Sequence, residues 1–134
     1  MRGSTGTGTI LLVEDEEALL NLTEERLRER GYTVLPARDG VQALELARSF
    51  HGSIHLLLTD VTMPRMGGVS LARSISELRP GIRIVFMTGH AEKEASYREA
   101  LLSGAESIQK PFSHKQLIHV VRQALDATVV HVQD

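Results

Sequence analysis

Short apolar runs alternate with amphipathic helical patterns through most of this chain, and few folds accept that alternation. It marks βαβ units wound around a parallel sheet. The run Ile54-His55-Leu56-Leu57-Leu58-Thr59 is nearly all apolar, as a central strand covered on both faces has to be. Further strands are expected over Thr9 to Val13, over Tyr32 to Leu35 with Pro36 as its limit, over Ile82 to Met87, and as a minimal strand over Ser107 to Gln109. Helices are expected between them. The first covers Glu16 to Arg30, with Leu19, Leu22 and Leu27 as its apolar face and Gly31 at the stop position. Val41, Ala43, Leu44, Leu46 and Ala47 mark the second. The third follows Gly67-Gly68 through Leu78 and stops at Pro80-Gly81. A weaker fourth, rich in charge and alanine, covers Glu92 to Ser103 and stops at Gly104. The last runs from His114 to Ala127, with Leu117, Val120, Val121 and Leu125 inward.

Five βα units without an internal repeat predict an α/β domain: a doubly wound, five-stranded parallel sheet with helices on both faces. Right-handed crossovers leave few orders, and the flavodoxin-like order 2-1-3-4-5 is the expected one. The expected division is a leader or linker over 1–8, the domain over 9–127, and a short tail over 128–134. The stretch 3–8, rich in glycine, serine and threonine, reads as a linker, so the domain is expected to be a piece of a longer protein.

The 134 residues are enough for one domain with a real core. A formal net charge of -2 gives no general affinity for nucleic acid or anionic membranes, so no direct contact with either is expected. The absence of cysteine excludes disulfides and thiolate metal sites and fits a cytoplasmic location. No apolar run approaches the roughly 18 residues of a membrane helix. Neither composition nor charge pattern fixes an oligomeric state.

Chemistry gathers at the strand ends. Glu14 and Asp15 follow the first apolar run, Asp60 ends the third, Thr88 ends the fourth, and Lys110 follows the fifth. In the expected order, the first and third strands meet at the switch point where such sheets bind ligands. Three carboxylates, one hydroxyl and one ammonium would share one edge. That set suits a divalent metal and a phosphoryl group. Taken singly, each is as well read as a loop charge, a surface lysine or a capping hydroxyl. The carboxylates are expected at exposed strand tips. The six histidines show no metal-ligand spacing, and His90 either overhangs the site or is a plain loop residue.

Four pieces, in order and each at a strand end, carry a resemblance: Val13-Glu14-Asp15-Glu16, Leu58-Thr59-Asp60-Val61-Thr62-Met63-Pro64-Arg65-Met66-Gly67-Gly68, Met87-Thr88-Gly89 and Lys110-Pro111-Phe112. Together the chain, from about Thr9 to Ala127, resembles the response-regulator receiver domain of two-component signalling. The first and last pieces look most like receivers attached to hybrid sensor histidine kinases. The resemblance implies that Asp60 is the phosphoacceptor, taking a phosphoryl group from a histidine kinase or phosphotransfer domain. It implies Mg²⁺ held by Glu14, Asp15, Asp60 and the Thr62 carbonyl, with Lys110 and Thr88 on phosphoryl oxygens. It also implies a signalling module, not an enzyme with an external substrate, although slow self-dephosphorylation is compatible with it. The output would be a switch of the face formed by the fourth predicted helix, the fifth strand and the last helix. The chain departs from the family pattern in Glu14, where an aspartate is frequent, and in Ser107, where the family commonly has an aromatic residue.

Other readings compete. A pseudo-receiver would bind partners without phosphorylation, and Glu14 and Ser107 lean that way. A flavodoxin-like nucleotide or flavin protein would need a glycine- or hydroxyl-rich phosphate loop after the first strand. Glu14-Asp15-Glu16-Glu17 is the opposite of such a loop. A haloacid-dehalogenase-type phosphatase would need a second aspartate two residues after Asp60, where Thr62 stands.

Overall fold

The computed structural model describes residues 7–63, 65–89 and 104–126. The helix expected over 92–103, together with His90 and the tail from 127 onward, lies outside the described residues. Among them the order is β1 (Thr9–Val13), α1 (Glu17–Glu29), β2 (Thr33–Ala37), α2 (Gly40–Ser49), β3 (Leu56–Asp60), α3 (Gly68–Leu78), β4 (Arg83–Thr88), β5 (Glu106–Gln109) and the last described helix, α4 (His114–Asp126). The five strands are all parallel and lie in the order β2-β1-β3-β4-β5, as expected.

Alternation along the strands divides the apolar side chains between two faces. Ile10, Leu12, Leu56, Leu58, Val85 and Met87 pack with Leu20, Leu27, Leu117 and Val121 of α1 and α4. Leu11, Val13, Leu57 and Phe86 pack with Ala43, Ala47, Leu71 and Ile75 of α2 and α3. All five residues of β3 are buried.

Local signals set the boundaries. Gly31 follows α1 with φ 97, a conformation that costs glycine little. Asp39 caps α2 through Oδ1, which accepts from the Gln42 N–H at 2.8 Å. At the start of α4, Ser113 Oγ accepts from the Gln116 N–H at 3.0 Å and Gln116 Oε1 accepts from the Ser113 N–H at 2.8 Å. This reciprocal box fixes the segment that follows Lys110.

The structure corrects several local expectations. Strand β2 continues through Pro36 to Ala37. It tolerates the proline because it lies at a sheet edge, where a missing N–H breaks no outer ladder. The inward face of α1 is Leu20, Thr23 and Leu27, with Leu22 left 45% exposed. In α2 the buried residues are Gly40, Ala43 and Ala47, whereas Val41 faces out, because small residues let the helix approach the sheet and α3 closely. Strand β3 starts at Leu56; Ile54 is buried ahead of it. In α4, Ile118 and Ala124 join the core, and Leu125 is only partly buried against it.

Arg79, just past α3, donates from Nε to the Ala47 carbonyl at 3.0 Å and from its two terminal nitrogens to the Gly52 and Phe50 carbonyls at 2.7 and 2.6 Å. The guanidinium thus satisfies carbonyls in the last turn of α2 and in the chain just beyond it.

Candidate functional site

Because every strand runs the same way, all the carboxyl ends share one edge. There β1 delivers Glu14 and Asp15, β3 ends in Asp60, β4 ends in Thr88, and β5 is followed by Lys110. Backbone bonds tie these ends together. Glu14 N–H donates to Ala37 O at 3.1 Å, Val61 N–H to Met87 O at 3.0 Å, and Lys110 N–H to Thr88 O at 2.7 Å. The start of α3 presses on the same place, with Gly68 N–H donating to Val61 O at 2.8 Å. A Cβ on Gly68 would collide with the Asp60 carbonyl oxygen, so only glycine fits there.

The carboxylates are not at exposed tips. Asp60 is 4% exposed and Glu14 only 1%, while Asp15 faces solvent. One carboxylate oxygen from each of Glu14, Asp15 and Asp60 lies within 4.8 Å of the others. Lys110 Nζ contacts Asp60 Oδ1 at 2.8 Å and Glu14 Oε1 at 3.2 Å. Glu14 Oε2 accepts from the Glu16 N–H at 3.0 Å. Thr88 is buried, paired in register with Gln109 just before Lys110, and Thr62 is exposed in the loop after β3.

Burial sets the electrostatics. Desolvation pushes the Asp60 carboxyl up to about 7, with the neighbouring Glu14 pushing the same way and Lys110 pulling it down. Burial alone would lower Lys110, but its bond to Asp60 and the charges of Asp60 and Glu14 outweigh that and hold it above its ordinary value. One ion pair therefore strains its anion and favours its cation. The asymmetry follows from numbers: the ammonium faces two carboxylates, whereas Asp60 has one cation and another carboxylate beside it.

With every group ionised, three carboxylates against one ammonium leave the site two charges negative. Closely spaced carboxylate oxygens, with no nitrogen or sulfur among them, are donors for a hard divalent cation. The residues present fit such an ion. Metal binding requires the ionised carboxylate, and Asp60 holds its proton until about pH 7. Affinity for such a cation is therefore expected to fall about tenfold between pH 8 and pH 6, a change that calorimetric titration with Mg²⁺ at the two pH values measures.

Alongside lies a groove of about 800 Å³ whose lining includes Leu19, Leu22, Phe112 and Leu117 together with Glu16, Arg26 and Lys110. Sequence reasoning placed Leu19 and Leu22 in the core, and so missed this groove. It also missed the burial of Glu14 and the double bond of Lys110 to both acids. The signal available was the mismatch of three acids to one base at a single edge.

Comparison with known proteins places this geometry. Residues 10–122 match the response regulator receiver domain family. The sensor kinase CckA of Brucella abortus (strain 2308) is 37% identical over 122 residues, covering 91% of this chain but only 13% of that protein. The response regulator receiver protein CpdR of the same organism is 33% identical over 88% of this chain and 97% of its own length. Among solved structures, the receiver domain of the hybrid histidine kinase CckA superposes with a TM-score of 0.75 at 34% identity, covering 89% of this chain and all of that one. A CheY-like receiver domain protein from Methanospirillum hungatei JF-1 gives 0.80 at 29% identity, covering 90% and 95%.

Proposed function

Because this chain belongs to the response regulator receiver domain family, we propose that it is a phosphoacceptor module in which Asp60 takes a phosphoryl group from a phosphohistidine on a kinase or phosphotransfer partner. The observation that carries the reading is the buried Asp60 carboxylate, bonded by Lys110 at 2.8 Å and grouped with Glu14 and Asp15. A carboxylate oxygen of Asp60 bonds to phosphorus as the bond from phosphorus to the imidazole nitrogen breaks, and the electron pair leaves with the imidazole. The barrier is chiefly charge and alignment, since an anion attacks an anionic group. Glu14, Asp15, Asp60 and the Thr62 carbonyl would hold Mg²⁺, which offsets that negative charge when bound. Lys110 steadies a phosphoryl oxygen as a point charge, and Glu14 keeps its ammonium in place from the other side. Thr88 offers its hydroxyl to another oxygen.

The groove lined by Leu19, Leu22 and Phe112 supports a protein donor, because it offers an apolar seat beside the reacting group. A parent protein with a histidine kinase, a cytoplasmic setting and slow self-dephosphorylation belong to this same reading. So does the division into a linker over 1–8, a domain over 9–127 and a tail over 128–134. Among the described residues, no helix is long and apolar enough to cross a membrane. Output follows from the bond between Lys110 N–H and Thr88 O, which couples the two residues that would engage the phosphoryl group. Movement there shifts the face built by β5 and α4. Ser107 is exposed on β5, so this switch runs without an aromatic side chain at that position.

Intact-mass measurement after incubation with acetyl phosphate and Mg²⁺ tests the reading. One base-labile phosphoryl adduct that requires Mg²⁺ is expected. Intact Mg²⁺ binding without any adduct, from either acetyl phosphate or phosphoramidate, would remove the proposal and leave a phosphorylation-independent interaction module.

A further inference from the structure

One exposed charge at the site edge sits on unfavourable backbone. Arg65, in the loop from β3 to α3, has φ 72, and it is the non-glycine residue with positive φ among those described. Arginine resists that left-handed region, which glycine and asparagine tolerate. Such strain persists only where the surroundings impose it, and it clusters at functional sites. Here the surroundings are visible. Met63 is buried on one side of the turn. On the other, Met66 packs so closely on Gly40 that a Cβ there would lie 2.8 Å from its sulfur. Gly68 then locks α3 onto Val61. Arg65 occupies the turn between these anchors with its side chain exposed.

The charges around it give the guanidinium a task. At the carboxyl edge the described loops and helix starts carry Glu14, Asp15, Glu16, Glu17, Asp39 and Asp60 against Arg38, Arg65, Lys110 and Lys115. Lys110 is held by Asp60 and Glu14, and Arg38 lies 3.9 Å from Glu17. Arg65 forms no ion pair with another described residue. An anionic donor thus approaches a negative edge on which Arg65 is, among the described residues, the guanidinium that no carboxylate holds, and its positive charge attracts such a donor.

Building on the phosphoacceptor reading above, we propose that Arg65 is the anion-capturing residue of this site: held in the turn five positions after Asp60, it draws the donor's phosphoryl group toward the acceptor carboxylate. It raises the encounter rate and takes no part in bond making.

The test is the second-order rate of phosphoryl uptake from acetyl phosphate with Mg²⁺, for wild type, Arg65→Asn and Arg65→Lys, at low and high ionic strength, with thermal melting of each. Arg65→Asn is expected to react about fivefold more slowly at low salt, with the gap closing as salt screens the charge. It should melt at or above the wild-type temperature, since asparagine accepts φ 72, and so the loss is not one of folding. Arg65→Lys should stay within about twofold of wild type, because it keeps the charge. Wild-type rates for Arg65→Asn at low salt would overturn the proposal. So would a slowing that salt leaves unchanged, or an equal slowing in the lysine variant. A wild-type protein that takes up no phosphoryl group would instead sink the phosphoacceptor reading, and this inference with it.

Discussion

Asp60→Asn takes up no phosphoryl group from acetyl phosphate at any Mg²⁺ concentration, and intact mass shows only the unmodified chain. An amide oxygen is a poor nucleophile, and Asp60 is the carboxylate that Lys110 Nζ holds most closely, at 2.8 Å against 3.2 Å for Glu14. A persistent Mg²⁺-dependent adduct on the variant would move the acceptor role to Glu14 or Asp15. The same substitution has an opposite effect on stability. Burial holds the Asp60 carboxyl at about 7, against 3.8 as the ordinary value. The folded state therefore binds that proton more tightly than the unfolded chain does. Below pH 3.8 both states are protonated and the group costs nothing. Stability is lost as pH climbs from there, and the loss is complete above about pH 7. Asparagine never acquires the charge. Without metal, at pH 8, Asp60→Asn is expected to be more stable than wild type by about 2 kcal/mol, below a ceiling of roughly 4 kcal/mol set by a shift of about three pKa units. Urea unfolding at pH 8 and pH 4 measures it, and the gain should shrink at the lower pH.

Gly68→Ala should be the most damaging small substitution near the site. Its Cβ would overlap the Asp60 carbonyl oxygen and lie 3.0 Å from both the Asp60 carbonyl carbon and the Val61 Cα. All three are backbone atoms, so no side chain can swing aside. Either α3 lifts from β3 or the end of β3 bends. The expected cost is about 3 kcal/mol, or a melting temperature lower by about 10 °C. Because the obstructed group is Asp60 itself, phosphoryl uptake in the surviving folded fraction should fall more than tenfold, on the order of what an ångström-scale misplacement does to a reacting group. Gly67→Ala provides the contrast. Its φ is −70, and the added carbon would meet only Val61 O, at 3.5 Å. It should melt within a few degrees of wild type. Equal damage from both substitutions would show that the loop needs glycine flexibility, not the close approach at Gly68.

Much of this architecture was legible in the sequence because parallel sheets advertise themselves. A run such as Leu56-Leu57-Leu58 has no polar face, so it belongs between two layers, and the acids after it must lie at the sheet edge. Strand β1 matched its expected limits for that reason. What the sequence could not disclose was rotation and depth. Leu19, Leu20 and Leu22 differ in burial although they are the same residue, because the crossing of α1 over the sheet decides which of them points down. Glu14 looked like an exposed tip. It is buried because Lys110, nearly a hundred positions away in the chain, arrives to neutralise it. Pro36 looked like a strand end, since edge position is a property of the assembled sheet. The left-handed turn at Arg65 was likewise hidden, because arginine is not the residue that announces one.

The division of the apolar side chains into two separate clusters bears on how such a molecule can change over generations. Among the described residues, the cluster under α1 and α4 and the cluster under α2 and α3 lie on opposite faces of the sheet. A lineage can redraw the outer surface of α1, where Leu22 already stands clear, without disturbing how α2 and α3 seat behind the acceptor. On the phosphoacceptor reading, recognition at the α1 surface is then separable from the packing that seats α3 behind Asp60. Copies of one ancestral gene could diverge toward different donors on one side while inheriting an unchanged acceptor on the other.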